Sequence, residues 1–536
     1  MKLTYQRIKN GIHQRWVHYT GNQRWQMLIK NVNQKALQTG NSRPVVFFNA
    51  STRLQAMSQN AAYSLLTALI VRLSGVPVIQ FVCDKGLSRC VLGSNRDDFT
   101  KPPPCDRCTR QSRAVFSGMD TRWFKAENYP ELEQLLSGLS VSDLESFTYR
   151  GNPLGFWAFN SLRWVLRRHT LPENEQNRAF LRAFILSAWN VYHQFNELIE
   201  KEKPRAVVVF NGMFYPEAAA RHACLQKGIR VITHEVGLRP YTAFFTTGEA
   251  TAYPMDIDPD FQLSTEMNKR LDDYLSARFK GDFSMAGIRF WTEIKPLDPA
   301  FIAKAKNYTK IVSVFTNVIF DTSQVHANTI FPHMFTWLQN VHEIARAHPA
   351  ILFVLRAHPD ESRPGKESRE SVGEWVRTSG ILNLPNVIFY DSSEFVNSYE
   401  LIQRSHLVMV YNSTIGLEAT LLGKPVIVGG KARFTQLETS FYPASVETYN
   451  QLLEQLLASD EIEIPPQFMH NARRFLYYQL FVTSLDFGEY LEDDQIWKGY
   501  VNLKDFPLAS LTPEHSATVK TLLDGILGNG ELTHPV

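Results

Sequence analysis

The chain has 536 residues, which is too long for one ordinary hydrophobic core and predicts two domains of roughly 200–280 residues each. Its composition, 44% hydrophobic and 20% charged, is typical of a globular protein. The net charge of +3 is small for this length and excludes a general nucleic-acid binder, so we expect no nucleic-acid partner.

Positive charge is concentrated at the start of the chain. Residues 1–83 contain ten Lys or Arg and no Asp or Glu; the first acidic residue is Asp84. We predict that residues 1–43 form a basic helical segment, which includes Trp16 and Trp25. Two interpretations are open: a peripheral contact with anionic lipid headgroups or a lipid-linked acceptor, and a solvated helix packed on the edge of the first domain.

The sequence contains no apolar run of the roughly 18 residues that a membrane-spanning helix needs. The longest run, Ala61–Val71, includes polar residues and is typical of a buried helix. The N-terminal residues also lack the apolar core of a secretory signal. We therefore expect a cytoplasmic protein, with any membrane contact at the cytoplasmic face of the inner membrane.

Strands and helices alternate in residues 44–290, the predicted first domain. The strands Val45–Phe48 and Val78–Val82 flank the helix Ala56–Leu73, which is the pattern of a parallel βαβ unit. After a cysteine-rich insertion and a helix-rich stretch, the alternation resumes, with the predicted elements Ala206–Phe210, Tyr215–Lys227, Ile229–Thr233 and Phe244–Thr246.

A second alternating region, residues 305–445, follows a less regular stretch at residues 250–305 that is the candidate linker. Its predicted strands are Ile311–Phe315, Ile351–Ala357, Val387–Tyr390, Leu407–Val410 and Pro425–Val428. We predict a helical tail over residues 446–536. Two consecutive doubly wound α/β domains bind a ligand in a crevice beyond the carboxyl ends of their strands.

The strongest motif follows the second of these strands, which ends in Arg356-Ala357-His358-Pro359. A basic residue and an imidazole at a strand's carboxyl end can meet the phosphates of a ligand in the cleft. The alternative is that His358 is a hydrogen-bonded loop residue. Asn317 and Asp321, after the first strand of this domain, are predicted to touch the leaving phosphates.

Another motif follows strand Leu407–Val410, where the chain reads Tyr411-Asn412-Ser413-Thr414-Ile415-Gly416-Leu417-Glu418-Ala419. Free N–H groups at the start of a helix favour phosphate, and the two hydroxyls add donors. Gly416 is predicted to allow close backbone approach to the ligand, and Glu418 to accept hydrogen bonds from ribose hydroxyls. The alternative is that Ser413 or Thr414 is only an N-cap.

These two motifs, together with Gly423-Lys424-Pro425-Val426, resemble the nucleotide-binding half of GT-B glycosyltransferases. The closest resemblance, over about residues 310–430, is to the capsule polysaccharide biosynthesis family, which includes the Kdo transferases of capsule export systems. It implies a GT-B fold, in which two Rossmann-like domains face a central cleft. It also implies transfer of a sugar from a nucleotide-activated donor to a surface polysaccharide or glycolipid, with His358 at the donor's phosphates and Ser413 and Thr414 opposite.

In the first domain, strand Ile229–Thr233 is followed by His234-Glu235-Val236-Gly237-Leu238-Arg239. This segment resembles the Glu-Asp-Gly-Phe-x-Arg segment that faces the donor site in capsular Kdo transferases. The chain keeps Glu235 and Gly237 and has an Arg nearby, Arg239, but it has Val236 where that family has Asp.

Sugar transfer requires a base that removes the proton of the acceptor hydroxyl. We predict Glu235 as this base and His234 as the second candidate. A structural ion pair between Glu235 and Arg239 is the alternative. Asn211, Gly237 and Arg239 are predicted to line the acceptor side, with Glu217 beyond. Because no Asp-x-Asp pair stands at a strand end, we expect positive charge and helix dipoles to stabilise the leaving group without a metal cofactor.

The insertion at residues 83–108 contains four cysteines spaced C-x6-C-x14-C-x2-C, namely Cys83, Cys90, Cys105 and Cys108. In a reducing cytoplasm this pattern predicts a structural zinc site rather than disulfides. An iron–sulfur cluster and unliganded thiols are the alternatives. Cys224 falls in a helical pattern and is predicted to be a core residue.

Two other functions compete with the transferase. A nucleotide-sugar 2-epimerase uses the same architecture and the same kinds of side chain. A non-catalytic partner in a polysaccharide assembly complex would explain Val236, but such a protein has no reason to keep the nucleotide motifs.

Overall fold

A computed structural model describes residues 2–36, 42–50, 56–280 and 295–535. The first part contains α1 (Lys2–Lys35), β1 (Val45–Asn49), β2 (Met57–Ser58), α2 (Gln59–Leu73), β3 (Val78–Cys83), α3 (Cys105–Val115), β4 (Thr121–Phe124), α4 (Pro130–Leu136), α5 (Val141–Glu145), α6 (Leu154–Leu166), α7 (Glu175–Glu202), β5 (Ala206–Phe210), α8 (Tyr215–Gln226), β6 (Arg230–Val236), β7 (Thr242–Thr246) and α9 (Thr265–Phe279).

The second part contains α10 (Pro299–Ala305), β8 (Lys310–Phe315), α11 (Gln324–Ala327), α12 (Met334–Ala347), β9 (Ile351–Arg356), α13 (Val372–Ser379), β10 (Val387–Tyr390), α14 (Ser398–Arg404), β11 (Leu407–Val410), α15 (Ile415–Leu421), β12 (Val426–Val428), α16 (Val446–Ala458), α17 (Pro466–Tyr477), β13 (Ser484–Asp486), β14 (Leu491–Asp493), β15 (Tyr500–Leu503) and α18 (Ala517–Leu527). The predicted boundary at residue 290 lies outside the described residues.

The first sheet has seven strands in the order β13-β7-β6-β5-β1-β3-β4. Strands β6, β5, β1, β3 and β4 are parallel, while β7 and β13 add antiparallel pairs at one edge. Consecutive residues of β1 point to opposite faces: Val46 packs with α6, α7 and α8, and Phe47 packs with α2 and α18. Helices therefore cover both faces, as a buried parallel sheet requires.

The second sheet has five parallel strands in the order β10-β9-β8-β11-β12. Phe353 and Leu355 of β9 pack with α12, α13 and α16, whereas Leu352 and Val354 pack with α9, α10, α14, α15 and α17. Both sheets are therefore doubly wound, and the prediction of an α/β protein with parallel sheets is confirmed.

The prediction of a helical tail is wrong beyond α17. After a π-helical turn at Tyr478–Val482 the chain returns to the first sheet, where β13 pairs with β7. The hairpin of β14 and β15 then pairs with β2 in a small third sheet, and α18 packs in the same core as α2. The tail is a structural part of the first half of the molecule, because β13 pairs with β7 and β15 pairs with β2.

Helix α1 packs against the first half through Trp25, Ile29 and Val32, which are fully buried with residues of α2 and β15. Among the described residues, no helix is both long and apolar enough to cross a bilayer.

Candidate active site

The carboxyl ends of the two parallel sheets face a common cleft, a cavity of about 550 Å³ lined by residues from both halves. Asn49 ends β1 and Asn211 follows β5, the neighbouring strand. After these two strands the chain continues on opposite faces of the sheet, to α2 and to α8. This reversal of strand order is the position at which doubly wound sheets bind ligands. Loops after β8 and β9 supply Asp321, Asp360 and Arg363 from the other half.

Glu235, near the end of β6, lies in the wall of this cleft. Its Oε2 accepts a hydrogen bond from Asn211 Nδ2 at 2.9 Å. Its Oε1 accepts from Asn60 Nδ2 at 3.1 Å and from the backbone N–H of Val236 at 2.9 Å. Three donors therefore hold the carboxylate in one orientation. The Asn60 Oδ1 is buried, and no partner for it lies among the described residues, so it is an acceptor available to a ligand in the cleft.

Two opposing effects act on the Glu235 carboxyl. Burial raises its pKa above the usual value, and this effect is larger than the lowering by its hydrogen bonds and by the charge of Arg433. Arg433 belongs to the short 3-10 helix after β12, and its guanidinium carbon lies 3.6 Å from the centroid of the Tyr253 ring. A cation of the second half thus faces the carboxylate of the first half.

A second carboxyl group, that of Glu217 in the first turn of α8, also lines the cleft. It is almost completely buried, and burial raises its pKa to about 8. At neutral pH this side chain is therefore mainly protonated and can donate a hydrogen bond to a ligand.

His234 cannot serve as the second candidate base in this structure. Because neighbouring residues of a strand point to opposite faces, His234 is buried between Phe210 and Phe245 while Glu235 faces the cleft. Burial lowers the pKa of His234 to about 3, and neither ring nitrogen has a hydrogen-bond partner among the described residues.

Arg239 does not line the cleft. Its guanidinium donates to the carbonyl oxygens of Leu480 and Ser484 and lies 3.5 Å from the Asp486 carboxylate. It therefore ties the C-terminal segment to the first sheet, and the alternative of an ion pair with Glu235 is not observed either. Gly237 does line the cleft, where an added Cβ would lie 2.2 Å from Thr242 Oγ1.

The second sheet has its own reversal of strand order, between β8 and β11. Asn317, after β8, donates from Nδ2 to the Oδ1 of Asn412, after β11, at 2.9 Å. Gln324 Nε2 donates to the same oxygen at 3.1 Å. These three amides join the loop after β8 to the loop after β11.

His358 stands at the carboxyl end of β9, next in the sheet to β8. Its Nδ1 accepts a hydrogen bond from the Asp360 backbone N–H at 3.2 Å. Burial lowers the His358 pKa, against the charges of Asp360 and Asp321, which raise it. The neutral ring that accepts at Nδ1 carries its proton on Nε2, and this N–H is a donor suited to a phosphate oxygen.

The side chains of Arg356 and Glu418 form contacts within the protein and not, as predicted, with a ligand in the cleft. The guanidinium of Arg356 is buried and donates to the carbonyl oxygens of Asp391 and Glu394. The carboxylate of Glu418 accepts from Arg278 at 2.6 Å and from the Tyr399 hydroxyl at 2.5 Å. In this arrangement neither side chain contacts a ligand in the cleft.

Gly416 is also a packing residue. An added Cβ would lie 2.9 Å from both Phe434 Cζ and Val410 Cγ2, so glycine is required for contact between α15 and its neighbours. Ser413 is buried, and Thr414 directly precedes α15 without making a side-chain cap. Their contact with phosphate stays a prediction.

Replacing Gly416 with alanine should lower the free energy of unfolding by about 1–3 kcal/mol, the usual cost of adding a methyl group to a filled core. Chemical denaturation without nucleotide measures this. The matched control is Gly11→Ala in α1, where an added Cβ meets nothing within 4 Å and should stabilise by about 0.5–1 kcal/mol. Equal stability of Gly416→Ala and the unsubstituted protein would contradict this packing role.

The cleft is lined by cationic as well as acidic side chains. Four cationic side chains from three separate segments line it: Arg363, Lys366, Arg433 and Lys498. Lys498 comes from the connection between β14 and β15, so the returning C-terminal segment contributes to the site.

The four cysteines of the insertion line one small cavity beside the cleft. Among the described residues, no three His, Cys, Asp or Glu side chains are drawn together closely enough to hold a metal ion, so the zinc site stays a prediction. Cys224 is a buried core residue, as its helical pattern indicated.

Residues 293–437 match the model of a family described as capsule polysaccharide biosynthesis protein. The predicted resemblance to this family is confirmed. The matched region contains β8–β12, the motifs that follow β9 and β11, and Arg433.

Among curated proteins, the chain is similar to protein FixF of Sinorhizobium fredii (strain NBRC 101917 / NGR234), with 27% identity over 234 residues. The match covers 42% of this chain and 48% of that protein, so it spans about half the length of the relative. Two solved structures are also similar. The β-Kdo 2,4 transferase KpsC of Thermosulfurimonas dismutans is 12% identical, covering 56% of this chain and 84% of that chain at a TM-score of 0.35. The UDP-GlcNAc 2-epimerase of Neisseria meningitidis is 13% identical, covering 82% and 99% at a TM-score of 0.24.

Several cleft residues were not identified from the sequence. Arg363 and Lys366 follow the His-Pro pair within eight residues, so an extended motif could have included them. Asn60 begins a helix with no motif around it, and Arg433 and Lys498 reach the cleft only through the folding of distant segments.

Proposed function

We propose that this protein is a metal-independent GT-B glycosyltransferase that transfers a sugar from a nucleotide-activated donor to a surface polysaccharide or glycolipid. The observation that carries the proposal is Glu235, a carboxylate fixed by three hydrogen bonds and facing a cation of the capsule-synthesis region across the cleft. The cleft volume of about 550 Å³ is within the range of small-molecule sites.

The donor binds to the second half. Its phosphates lie at the crevice between the loops after β8 and β11, within reach of the His358 Nε2 proton. The amides of Asn317 and Asn412 hold these two loops in register, and Ser413 and Thr414 approach the nucleotide from the opposite side. Asp321 lines the cleft together with Glu235, and its charge acts on His358.

The acceptor binds to the first half, against Asn211, Gly237 and Glu217. Its hydroxyl oxygen attacks the anomeric carbon while Glu235 removes the hydroxyl proton. The bond between the anomeric carbon and the phosphate oxygen breaks, and its electron pair stays on the nucleotide. Arg363, Lys366 and Arg433 line this space and stabilise the added negative charge without a metal cofactor.

Calorimetric titration with CMP, UDP, GDP and dTDP tests the donor site. We expect selective binding of one nucleotide with a dissociation constant of roughly 1 µM–1 mM, the range of common enzyme substrates. Saturation with that nucleotide should protect Arg433 and Lys366 from chemical modification. If none of the four binds at millimolar concentration, the donor-site assignment fails and a non-catalytic role in polysaccharide assembly replaces it.

We also propose that α1 contacts the cytoplasmic face of the inner membrane, where a lipid-linked acceptor is available. Trp16, Tyr19 and Met27 are 62%, 63% and 65% exposed on this helix, on the side away from its buried residues. The helix contains no Asp or Glu, and Arg15 and Lys30 are exposed beside these residues. Exposed aromatic rings together with positive charge are suited to an anionic lipid surface.

Cosedimentation with vesicles tests this contact. The protein should bind vesicles rich in phosphatidylglycerol and not those of phosphatidylcholine alone. The double variant Trp16→Ala and Tyr19→Ala should bind about tenfold or more weakly, because two aromatic side chains no longer enter the interface. The control Leu225→Ala removes an apolar residue of α8 that is 51% exposed and should change nothing. Undiminished binding by the double variant would refute the role of α1.

A further inference from the structure

The loops of the cysteine-rich insertion surround a cavity of about 30 Å³ beside the cleft. Cys83, Cys90, Cys105 and Cys108 all line it, although they come from the end of β3, the following loop and the first turn of α3. The remaining lining is largely apolar, with Leu87, Leu92, Pro103 and Pro104. All four thiols therefore line this cavity, and few other polar groups in its lining could bind a ligand.

Two of the thiols accept the same kind of backbone hydrogen bond. Cys83 Sγ accepts a hydrogen bond from the backbone N–H of Gly86 at 3.3 Å, and Cys90 Sγ accepts from that of Gly93 at 3.1 Å. In both turns the glycine follows the cysteine by three residues. These hydrogen bonds fix the position of both sulfur atoms at the cavity wall.

Cys105 and Cys108 complete the set from α3. They are three residues apart on a helix and therefore lie on the same face. Lys85, from the turn after Cys83, forms an ion pair with Asp106 at 2.5 Å, which joins the first turn to the helix. An added Cβ at Gly93 would lie 2.8 Å from Cys90 Sγ and 3.1 Å from Pro103, so the loop is closely packed around the sulfur.

We propose that Cys83, Cys90, Cys105 and Cys108 bind one zinc ion as four thiolate ligands. Thiolates in a set of four favour zinc or an iron–sulfur cluster. A cavity of about 30 Å³ has room for a single ion, and metal analysis distinguishes zinc from an iron–sulfur cluster. The thiols must draw inward to reach zinc–sulfur distances, and four protons leave as the ion binds.

This site also supports the cleft. Cys90, Leu87 and Leu92 line both the cysteine cavity and the cleft, and Val91 lines the cleft between them. A closed set of four thiolates leaves no position for substrate, so the ion is structural. Its role is to hold the loop of residues 87–92 as the wall that faces the acceptor.

Metal analysis of the full-length protein, purified without chelators or an affinity tag, tests the proposal. We expect about one zinc and no iron per chain by mass spectrometry, as a four-thiolate structural site requires. The double variant Cys105→Ser and Cys108→Ser should retain less than about a fifth of this zinc, since two ligands are lost. The control Cys224→Ala removes a thiol outside the cavity and should retain all of it.

A second measurement does not depend on the folding of a variant. Titration of the unsubstituted protein with a mercurial, in the presence of a zinc-sensitive dye, should release about one zinc as about four thiols react. Zinc-free protein with reactive thiols, a disulfide between any two of the four cysteines, iron in place of zinc, or equal zinc in the double variant would each overturn the proposal. The proposed transferase function would survive all of these outcomes.

Discussion

Glu235→Gln should lower the turnover number for sugar transfer by roughly 10²–10⁴-fold, the usual contribution of a general base. Glutamine keeps the size and most of the hydrogen bonds of the side chain but cannot take up the acceptor proton. Affinity for the donor nucleotide should stay within about threefold of the unsubstituted protein, because the base contacts the acceptor and not the nucleotide. Initial rates of nucleotide release with saturating donor and acceptor measure the first quantity, and calorimetry measures the second.

The control for this substitution is Glu361→Gln. Glu361 is also a buried carboxyl group, and burial raises its pKa to about 8, but it accepts from the Val372 backbone N–H and does not line the cleft. The Glu361→Gln variant should therefore transfer sugar at the rate of the unsubstituted protein. Equal rates for Glu235→Gln and the unsubstituted protein would remove Glu235 from the mechanism.

The pH dependence of the rate follows from the same residue. A general base acts only when it is deprotonated, so the rate should fall as the pH falls through the pKa of Glu235. Burial raises that pKa, and the fall should therefore begin at a higher pH than for an ordinary exposed carboxyl group. A profile of kcat/KM against pH for the free enzyme measures this, and Glu235→Gln should lose this limb of the profile.

His358→Ala should raise the dissociation constant of the bound nucleotide by about 10–100-fold, since a hydrogen bond to a charged phosphate is worth about 1.5–3 kcal/mol. Burial lowers the His358 pKa, so the neutral ring donates from Nε2 and the affinity should change little between pH 7 and 8. Calorimetric titration of the variant measures the effect.

The matched control is His406→Ala. His406 precedes β11, at the end of the strand opposite to the nucleotide motif, and its ring nitrogen contacts the Leu456 carbonyl oxygen. The nucleotide affinity of His406→Ala should equal that of the unsubstituted protein. Equal loss in both variants would indicate a general effect on the fold and would contradict a phosphate contact at His358.

Most strands and helices could be predicted from the sequence, because a buried parallel strand is a short apolar run and its helices have clear ends. Strands β10 and β11 have their predicted bounds, Val387–Tyr390 and Leu407–Val410. Strand β13 was missed because its three residues pair with β7, more than 200 residues earlier, and nothing local distinguishes them from a helix.

The site was harder to predict because a residue's position at a strand end does not determine its contacts. Glu235 and Arg239 are four residues apart, yet only Glu235 faces the cleft, since the chain turns after β6. The motif around Glu418 predicts a contact with ribose, but the Glu418 carboxylate forms an ion pair with Arg278 instead. Such pairs depend on the tertiary packing of α9 against α15 and cannot be read from either segment alone.

The most direct test of the transferase assignment is to follow the fate of the donor sugar by NMR. The nucleotide sugars CMP-Kdo, UDP-GlcNAc and a GDP-sugar are each incubated with the protein, with and without a panel of lipid-linked saccharides. We expect nucleotide release that depends on the acceptor, together with a new glycosidic linkage. Conversion of the donor to its 2-epimer without any acceptor would contradict the account and identify an epimerase.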